Sequence, residues 1–185
     1  PPSTSPPEQV APWPMVGRDA DLESLVDVVA AAERGVPSYA VITGDPGIGK
    51  SRLAAELVVR ARQRGMRVLI GRCSQDDGAP PLWPWKSVLD GLGVPLLEGV
   101  AGSEGEGGQF RAWEWIAETV RGATRDQPVM VVLDDLHWAD TSTLRVLRLL
   151  AETTDRARLL VVVTWRSHPE PAGALADVAE ALARM

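Results

Sequence analysis

The sequence predicts an α/β fold in which helices cover both faces of a parallel β-sheet. Segments with strand character alternate along the chain with segments whose apolar residues repeat at helical spacing. The strand segments are continuous apolar runs, and the run at 129–133 is rich in valine, as is typical of strands buried on both faces. A glycine-rich loop joins the first strand to a helix, which places a binding crevice at the carboxyl ends of the strands.

The composition of the 185 residues fits one globular domain and excludes several other classes of protein. Apolar residues make up 45% and charged residues 24%, so the body of the chain is neither disordered nor fibrous. The longest strongly apolar stretch, 159–163, is far shorter than the roughly 20 residues of a membrane helix, so no membrane partner is expected. A single cysteine excludes an internal disulfide framework and suits a reducing compartment, which predicts a cytoplasmic location. The net charge of −6 argues against unspecific nucleic-acid binding by this piece alone.

The N-terminal segment 1–14 contains six prolines and predicts a polyproline-type linker ahead of a folded core at 15–185. Because the sequence does not begin with methionine, we expect it to be a piece of a longer polypeptide with a further domain upstream.

Four elements are predicted in the first part of the core. Leu22, Leu25 and Val29 repeat at helical spacing after Arg18, and Gly35 ends this helix. The apolar run 38–43 leads into glycine and predicts a buried strand. The next two predicted elements are a helix at 50–64, ended by Gly65, and a strand at 66–71.

An irregular region at 74–108, rich in proline and glycine, precedes the second part of the core and holds a short helix near 85–92. The following helix is expected to turn Phe110, Trp113 and Ile116 inward. Asp140 is most simply the N-cap of the helix after the third strand. The remaining predicted ranges are helix 109–125, strand 129–133, helix 140–153, strand 159–164 and helix 173–184.

The glycine loop at 44–51 reads GDPGIGKS and matches the pattern G-x-x-x-x-G-K-[ST] between a strand and a helix. Glycines let successive backbone N–H groups point at one phosphate, and the helix adds its positive N-terminal end. Lys50 places a charge near the β- and γ-phosphates, and the Ser51 hydroxyl can bind Mg²⁺. The alternative is a chance glycine turn. The predicted nucleotide-binding residues here are Gly44, Asp45, Pro46, Gly47, Ile48, Gly49, Lys50, Ser51 and Arg52.

A second motif is the apolar strand 129–133 followed directly by Asp134 and Asp135. Beside a phosphate loop, a carboxylate at the end of such a strand is placed to hold Mg²⁺, so Asp134 and Ser51 are the predicted metal ligands. Asp135 is the candidate to orient or deprotonate an attacking water. Taken alone, two acids after a strand are usually a turn or a helix cap, and that role stays open for Asp135.

In combination, these motifs resemble the ATP-binding domain of STAND-class regulators, which are signal-transduction ATPases with numerous domains. The branch that looks most similar is the AAA-like ATPase of large bacterial transcriptional regulators of the LuxR type and the antibiotic-regulatory type. The resemblance extends over 15–168 and is carried by VGRD at 16–19, GDPGIGKSRLAAEL at 44–57, GRC at 71–73, PPLWPW at 80–85 and LDDLHWAD at 133–140.

The resemblance implies roles for individual residues. Gly17 and Arg18 match the motif that opens the family's domain against the adenine and ribose, with an ordinary helix N-terminus as the alternative. Asp134 and Asp135 match the Walker B acids, and Arg166 looks like the arginine that senses the γ-phosphate, with a solvated loop arginine as the alternative. His137 and Trp138 belong to the family motif, but no chemistry is assigned to them from the sequence.

The resemblance also implies ATP or ADP with Mg²⁺ as cofactors, other domains of the same polypeptide as partners, and DNA contact only through domains outside this piece. The family's strand order of 5-1-4-3-2 predicts a three-layer P-loop NTPase with the order 1-4-3-2 here, truncated before the fifth strand and the lid. Residues 39–42 would then form an apolar sheet edge, so we expect self-association through it or coverage by the chain's own termini.

The expected function is an ATP-binding, slowly hydrolysing switch that controls a multidomain transcriptional regulator. One alternative is an AAA+ motor or initiator ATPase, which the VGRD start also resembles, although such motors normally carry glutamate at the position of Asp135. Another is a non-catalytic scaffold stabilised by nucleotide. Phosphoryl transfer to a small molecule is the weakest reading, because no acceptor pocket is visible in the sequence.

Overall fold

A computed structural model describes residues 19–75, 79–96 and 106–184. Its centre is a four-stranded, fully parallel sheet in the order β1-β4-β3-β2, which confirms the predicted order. β4 lies between β1, which leads into the glycine loop, and β3, which ends in the first acid of the pair. The strands are β1 (Ser38–Gly44), β2 (Arg67–Arg72), β3 (Val129–Asp134) and β4 (Leu159–Arg166).

Helices cover both faces of this sheet, so the fold has three layers. On one face α1 and α2 pack against alternate residues of the strands, including Met130 and Val132 of β3. On the other face α3 to α6 pack against the intervening residues, including Val131 and Leu133. The helices are α1 (Asp19–Glu33), α2 (Lys50–Gln63), α3 (Trp83–Leu92), α4 (Glu106–Ala123), α5 (Thr141–Thr153) and α6 (Ala174–Ala183), with a single 3₁₀ turn at Leu136–Trp138.

The predicted elements are all present, with shifts at their ends. β1 and β4 run further than predicted, to Gly44 and Arg166, so both reach the edge of the sheet where the loop lies. α3 begins at Trp83, because Pro84 fits the first turn of a helix, where its missing N–H costs nothing. Asp140 caps α5 as predicted, since its side chain accepts a hydrogen bond from the backbone N–H of Thr143.

The inward orientation predicted for Phe110 is wrong. The buried face of α4 is formed by Ala112, Ile116, Ala117 and Val120, and Phe110 lies off this face with 46% of its surface exposed. It packs edge-on against the Trp113 ring, with the two ring centroids 6.4 Å apart. The helical periodicity of the first turn was therefore less informative than that of the later turns, whose residues are buried in the core.

The outer edge of β1 pairs with no other strand within the described residues, and Val41 of this strand is exposed. Self-association through this edge stays a prediction. The predicted linker at 1–14 lies outside the described residues. No helix in the described ranges is long and apolar enough to span a membrane.

Candidate functional site

The loop that connects β1 to α2 has a backbone conformation that only glycine adopts readily. Gly47 and Gly49 have φ angles of 78° and 92°, in the left-handed region. Gly49 directly precedes α2 and provides no side-chain cap, so the first N–H groups of the helix are not capped by it. A loop that curls in this way onto a helix N-terminus is a suitable binding site for a phosphate group.

Lys50 is folded back over this loop. Its side chain is buried, and Nζ donates hydrogen bonds to the carbonyl oxygens of Gly44 and Asp45, each at 2.9 Å. The ammonium group is therefore held by the backbone of the loop at which it is predicted to contact a phosphate. A cation fixed in this position can add a charge-assisted contact to a phosphate oxygen bound at the loop.

The loop is also tied to the chain beyond β4. The hydroxyl of Ser167 donates to the Asp45 carboxylate at 3.1 Å, and the Ser167 N–H donates to the Gly44 carbonyl at 3.3 Å. These contacts hold the end of β4 beside the phosphate loop. Pro46 and Ile48 complete the loop, and Arg52 lies in the first turn of α2.

The two predicted metal ligands meet at the same edge of the sheet. The Ser51 hydroxyl, in the first turn of α2, donates to Asp134 Oδ1 at 3.2 Å, across from the end of β3. A hydroxyl and one carboxylate are oxygen donors of the kind Mg²⁺ prefers, and this ion usually completes its shell with water and substrate phosphates. No cluster of three or more acidic, histidine or cysteine ligands occurs among the described residues, so a closed all-protein metal site is absent from that part of the chain.

Thr164, which is not among the site residues predicted from the sequence, joins the two acids. Its fully buried hydroxyl donates to Asp134 Oδ1 at 2.6 Å and accepts a hydrogen bond from the Asp135 N–H at 2.9 Å. One side chain of β4 therefore fixes the Asp134 carboxylate and the backbone of Asp135 together. The signal in the sequence is a single polar residue at the end of the otherwise apolar run 159–163.

We expect Thr164→Val to weaken Mg²⁺-dependent nucleotide binding by about 10- to 100-fold, the effect usual for a group that orients a metal ligand. The substitution keeps the shape of the side chain but removes the hydroxyl, so the Asp134 carboxylate loses its donor and the Asp135 N–H loses its acceptor. Titration of Mg²⁺ at fixed ATP measures the effect. Thr153→Val is a matched control, because the hydroxyl of that exposed residue donates to the Leu149 carbonyl of its own helix, far from the acid pair in the sequence. Equal Mg²⁺ dependence in the two variants would contradict the role of Thr164.

Asp135 directly follows β3 in a left-handed conformation, with a φ of 57°. Non-glycine residues in this region are uncommon and are concentrated at functional sites. Asp135 precedes the 3₁₀ turn at Leu136–Trp138, yet its side chain makes no capping hydrogen bond to that turn. The capping alternative is therefore not what the carboxylate does, and the side chain is partly exposed at the loop edge of the sheet.

Arg166, at the end of β4, pairs in register with Gly44 at the start of the glycine loop. Its guanidinium carbon lies 5.5 Å from the centre of the Trp138 ring, within the range of a cation–π contact. The strand order and this contact bring Arg166 to the edge that holds Lys50 and Asp134. The other two predicted residues, Gly17 and Arg18, lie outside the described residues and stay a prediction.

A brace supports this edge from the helical layer. Asp140 accepts a hydrogen bond from the Leu82 N–H at 3.2 Å in addition to capping α5. The indole nitrogen of Trp85, which is fully buried, donates to the Thr143 carbonyl at 3.0 Å. At Gly71 of β2, an added Cβ would lie only 2.5 Å from the Pro84 carbonyl oxygen, so α3 approaches β2 as closely as glycine permits.

The comparison with known families decides the assignment. The profile of the AAA ATPase domain family matches residues 14–163. The chain belongs to the AAA ATPase domain family. Members of this family bind nucleotides, in most cases together with Mg²⁺, and the Lys50 loop and the Ser51–Asp134 pair lie within the matched range.

A relative and several solved structures are similar to this AAA domain. An uncharacterized protein of Rhizobium meliloti is 31% identical over 132 residues, which cover 71% of this chain but only 12% of that protein. Cdc6p from Pyrobaculum aerophilum has a TM-score of 0.64 at 18% identity, over 95% of this chain and 45% of its own. The Aeropyrum pernix ORC2 protein, solved as ADPNP–ADP complexes, has a TM-score of 0.60 at 18% identity, over 96% of this chain and 47% of its own.

The similarity to these two structures concerns the fold, which is the three-layer P-loop NTPase architecture with the strand order 1-4-3-2. This AAA domain spans less than half the length of either chain and about an eighth of the R. meliloti protein.

Proposed function

We propose that this AAA domain is an ATP-binding, slowly hydrolysing switch within a large transcriptional regulator of the STAND class. The observation that carries the proposal is the hydrogen bond between Ser51 and Asp134 beside a loop that holds Lys50, since these are the parts of a Mg²⁺-nucleotide site. The finer assignment to a regulator rests on the resemblance of LDDLHWAD and GKSRL to that branch. The great length of the R. meliloti relative fits a domain that works inside a larger protein.

In this proposal the residues have separate tasks. The loop N–H groups and Lys50 bind the β- and γ-phosphates. Ser51 and Asp134 hold Mg²⁺, which neutralises charge on the phosphates when it is bound. Asp135 orients the attacking water, and Arg166 reaches a γ-phosphate oxygen. Gly17 and Arg18 lie against the adenine and ribose, and the proline-rich segment 1–14 links the domain to a neighbour in the same polypeptide.

Slow turnover is part of the proposal. Asp135 stands where motor ATPases normally have the longer glutamate, so its carboxylate reaches less far towards a water at the γ-phosphate. We expect the chain to bind ATP and ADP with Mg²⁺ in calorimetry and to hydrolyse ATP at less than about 1 s⁻¹, the lower end for ordinary enzymes. Removal of Mg²⁺ with a chelator should weaken ATP binding, and failure to bind either nucleotide would contradict the proposal.

A second candidate function, an initiator-type AAA+ ATPase, is favoured by one observation, the likeness of the fold to Cdc6p and the ORC2 protein. The two candidates differ in what DNA does to this domain. A switch whose DNA contact belongs to other domains should hydrolyse ATP at the same rate with and without duplex DNA. Turnover that rises above about 1 s⁻¹ when duplex DNA is added would favour the initiator instead.

The Asp135→Asn variant distinguishes the switch from the other alternative, a non-catalytic scaffold that nucleotide stabilises. In a hydrolysing switch this substitution lowers the basal turnover but leaves ADP binding intact, because the amide keeps the shape of the side chain and loses its charge. Unchanged turnover in the Asp135→Asn variant, together with nucleotide binding, would favour a domain that nucleotide only stabilises.

A further inference from the structure

His137 lies in the 3₁₀ turn directly after the acid pair, and neither the sequence nor the proposed function gives it a task. Its side chain is only 14% exposed. Both ring nitrogens are buried without a hydrogen-bond partner among the described residues. Buried polar atoms of native proteins nearly always have a partner, so an imidazole with two unpaired nitrogens calls for an explanation.

The groups around the His137 imidazole are those of the proposed hydrolytic site. Nδ1 lies 3.9 Å from Asp135 Oδ1, and the ring is also within the electrostatic reach of Asp134 at the end of β3, Lys50 of α2 and Arg166 of β4. Two carboxylates and two cations thus surround one neutral ring. The other histidine of the chain, His168, differs, since its side chain is exposed, with Nδ1 3.5 Å from Asp45 Oδ1.

Burial lowers the pKa of His137 below its usual value of 6.5. Asp135 opposes this shift, Arg166 and Lys50 add to it, and Asp134 opposes it. The ring is therefore neutral near pH 7, with one nitrogen that carries a proton and one that accepts. A neutral imidazole can donate one hydrogen bond to a carboxylate without adding a full positive charge beside Lys50 and Arg166.

We propose that His137 is a positioning residue for ATP hydrolysis, whose Nδ1–H donates to Asp135 Oδ1 and sets that carboxylate against the attacking water. The inference rests on the proposed function. The Nδ1–Oδ1 distance of 3.9 Å is too long for a hydrogen bond, and contacts of this kind often shorten only when the substrate complex forms. Trp138 completes the arrangement, because its ring lies 5.0 Å from the His137 ring and contacts Arg166.

The assisted step is the ordinary hydrolysis of the γ-phosphoryl group. The water oxygen forms a bond to the γ-phosphorus while the bond from that phosphorus to the bridging oxygen breaks, and ADP leaves with the electron pair. The water proton passes to the Asp135 carboxylate. His137 takes no proton in this step, and its contribution is the orientation of Asp135.

The test compares His137→Leu, His137→Asn, Asp135→Asn and the His137→Leu/Asp135→Asn double variant. Two quantities are measured for each, the single-turnover rate of Mg²⁺-ATP hydrolysis with protein in excess, and the affinity for a non-hydrolysable ATP analogue. We expect His137→Leu to lower the rate by about 10- to 100-fold, as for other groups that orient a catalytic ligand, with analogue affinity changed less than twofold. His137→Asn, whose amide N–H can replace Nδ1–H, should retain most of the rate.

The double variant gives the sharpest readout. If His137 acts only through Asp135, the double variant is no slower than the slower single variant, because residues that act as a unit are not additive. His168→Leu is the matched control, since it removes the other histidine of the chain from an exposed position, and its rate should stay within about twofold of wild type, in keeping with the small effects of surface substitutions.

Four outcomes overturn the inference. Additive losses in the double variant, or a rate that falls only in step with analogue affinity and thermal stability, would make His137 a packing residue. Equal rates in the wild type and in a folded His137→Leu variant that binds the analogue would leave no role for the ring. If the wild type binds the analogue but never hydrolyses ATP, this inference fails while the binding site stands. Failure of the wild type to bind the analogue is the separate failure of the proposed function.

Discussion

We expect Lys50→Ala to weaken binding of Mg²⁺-ATP by about 10- to 150-fold. Hydrogen bonds to charged groups contribute about 1.5–3 kcal/mol, and each 1.4 kcal/mol changes the affinity tenfold. The structure adds a second reason, because Nζ also bonds the Gly44 and Asp45 carbonyls at 2.9 Å and so holds the loop in shape. Alanine removes both the expected phosphate contact and these two bonds. Calorimetric titration with ATP at fixed Mg²⁺ measures the loss.

The chain provides a matched control in Lys86, its only other lysine. Lys86 lies on the surface of α3, where its Nζ pairs with the Asp90 carboxylate at 2.6 Å, and exposed pairs of this kind contribute little. Lys86→Ala should therefore bind Mg²⁺-ATP as the wild type does. Nucleotide affinity that is unchanged in a folded Lys50→Ala variant would contradict the assignment of the loop as the phosphate site.

The sheet could be predicted because its strands carry a pattern that few other structures produce. Val129–Leu133 and Leu159–Val163 are continuous apolar runs, as expected for central parallel strands buried on both faces. The meeting of Ser51 and Asp134 also followed from the sequence, since the carboxyl ends of parallel strands share one edge of the sheet. In both cases a local sequence pattern, together with the strand order implied by the family resemblance, was sufficient to predict the structure.

Thr164 and His137 could not be predicted, because their importance depends on contacts between distant segments. Threonine is a common strand residue, and nothing local indicates that its hydroxyl will bridge two acids on β3. The surroundings of His137 depend on the left-handed turn at Asp135, which places the imidazole back among residues of three elements. The contact of Arg166 with Trp138 likewise arises only once β4 lies beside β3.

The largest loss of stability is expected from Trp85→Ala. Truncation of a fully buried tryptophan costs about 3–5 kcal/mol, because the side chain loses its burial and leaves a cavity that closes only in part. The indole bond to the Thr143 carbonyl is lost as well, and with it a tie between α3 and α5. Domains of this kind are stable by only about 5–15 kcal/mol, so the variant should unfold at a much lower urea concentration than the wild type. Urea titration monitored by far-UV circular dichroism measures the shift.

Two further variants separate the causes of this loss. Trp85→Phe keeps most of the buried volume but cannot donate to the Thr143 carbonyl, so it should lose about 1 kcal/mol for the hydrogen bond and somewhat more for the smaller ring. Trp83→Ala removes a tryptophan two residues earlier that is exposed on the surface, and it should change the free energy of unfolding by about 0.5 kcal/mol or less. If Trp83→Ala destabilises the domain as much as Trp85→Ala, then α3 is not anchored through Trp85. The tie between α3 and α5 would in that case depend on the exposed Trp83 rather than on the buried indole.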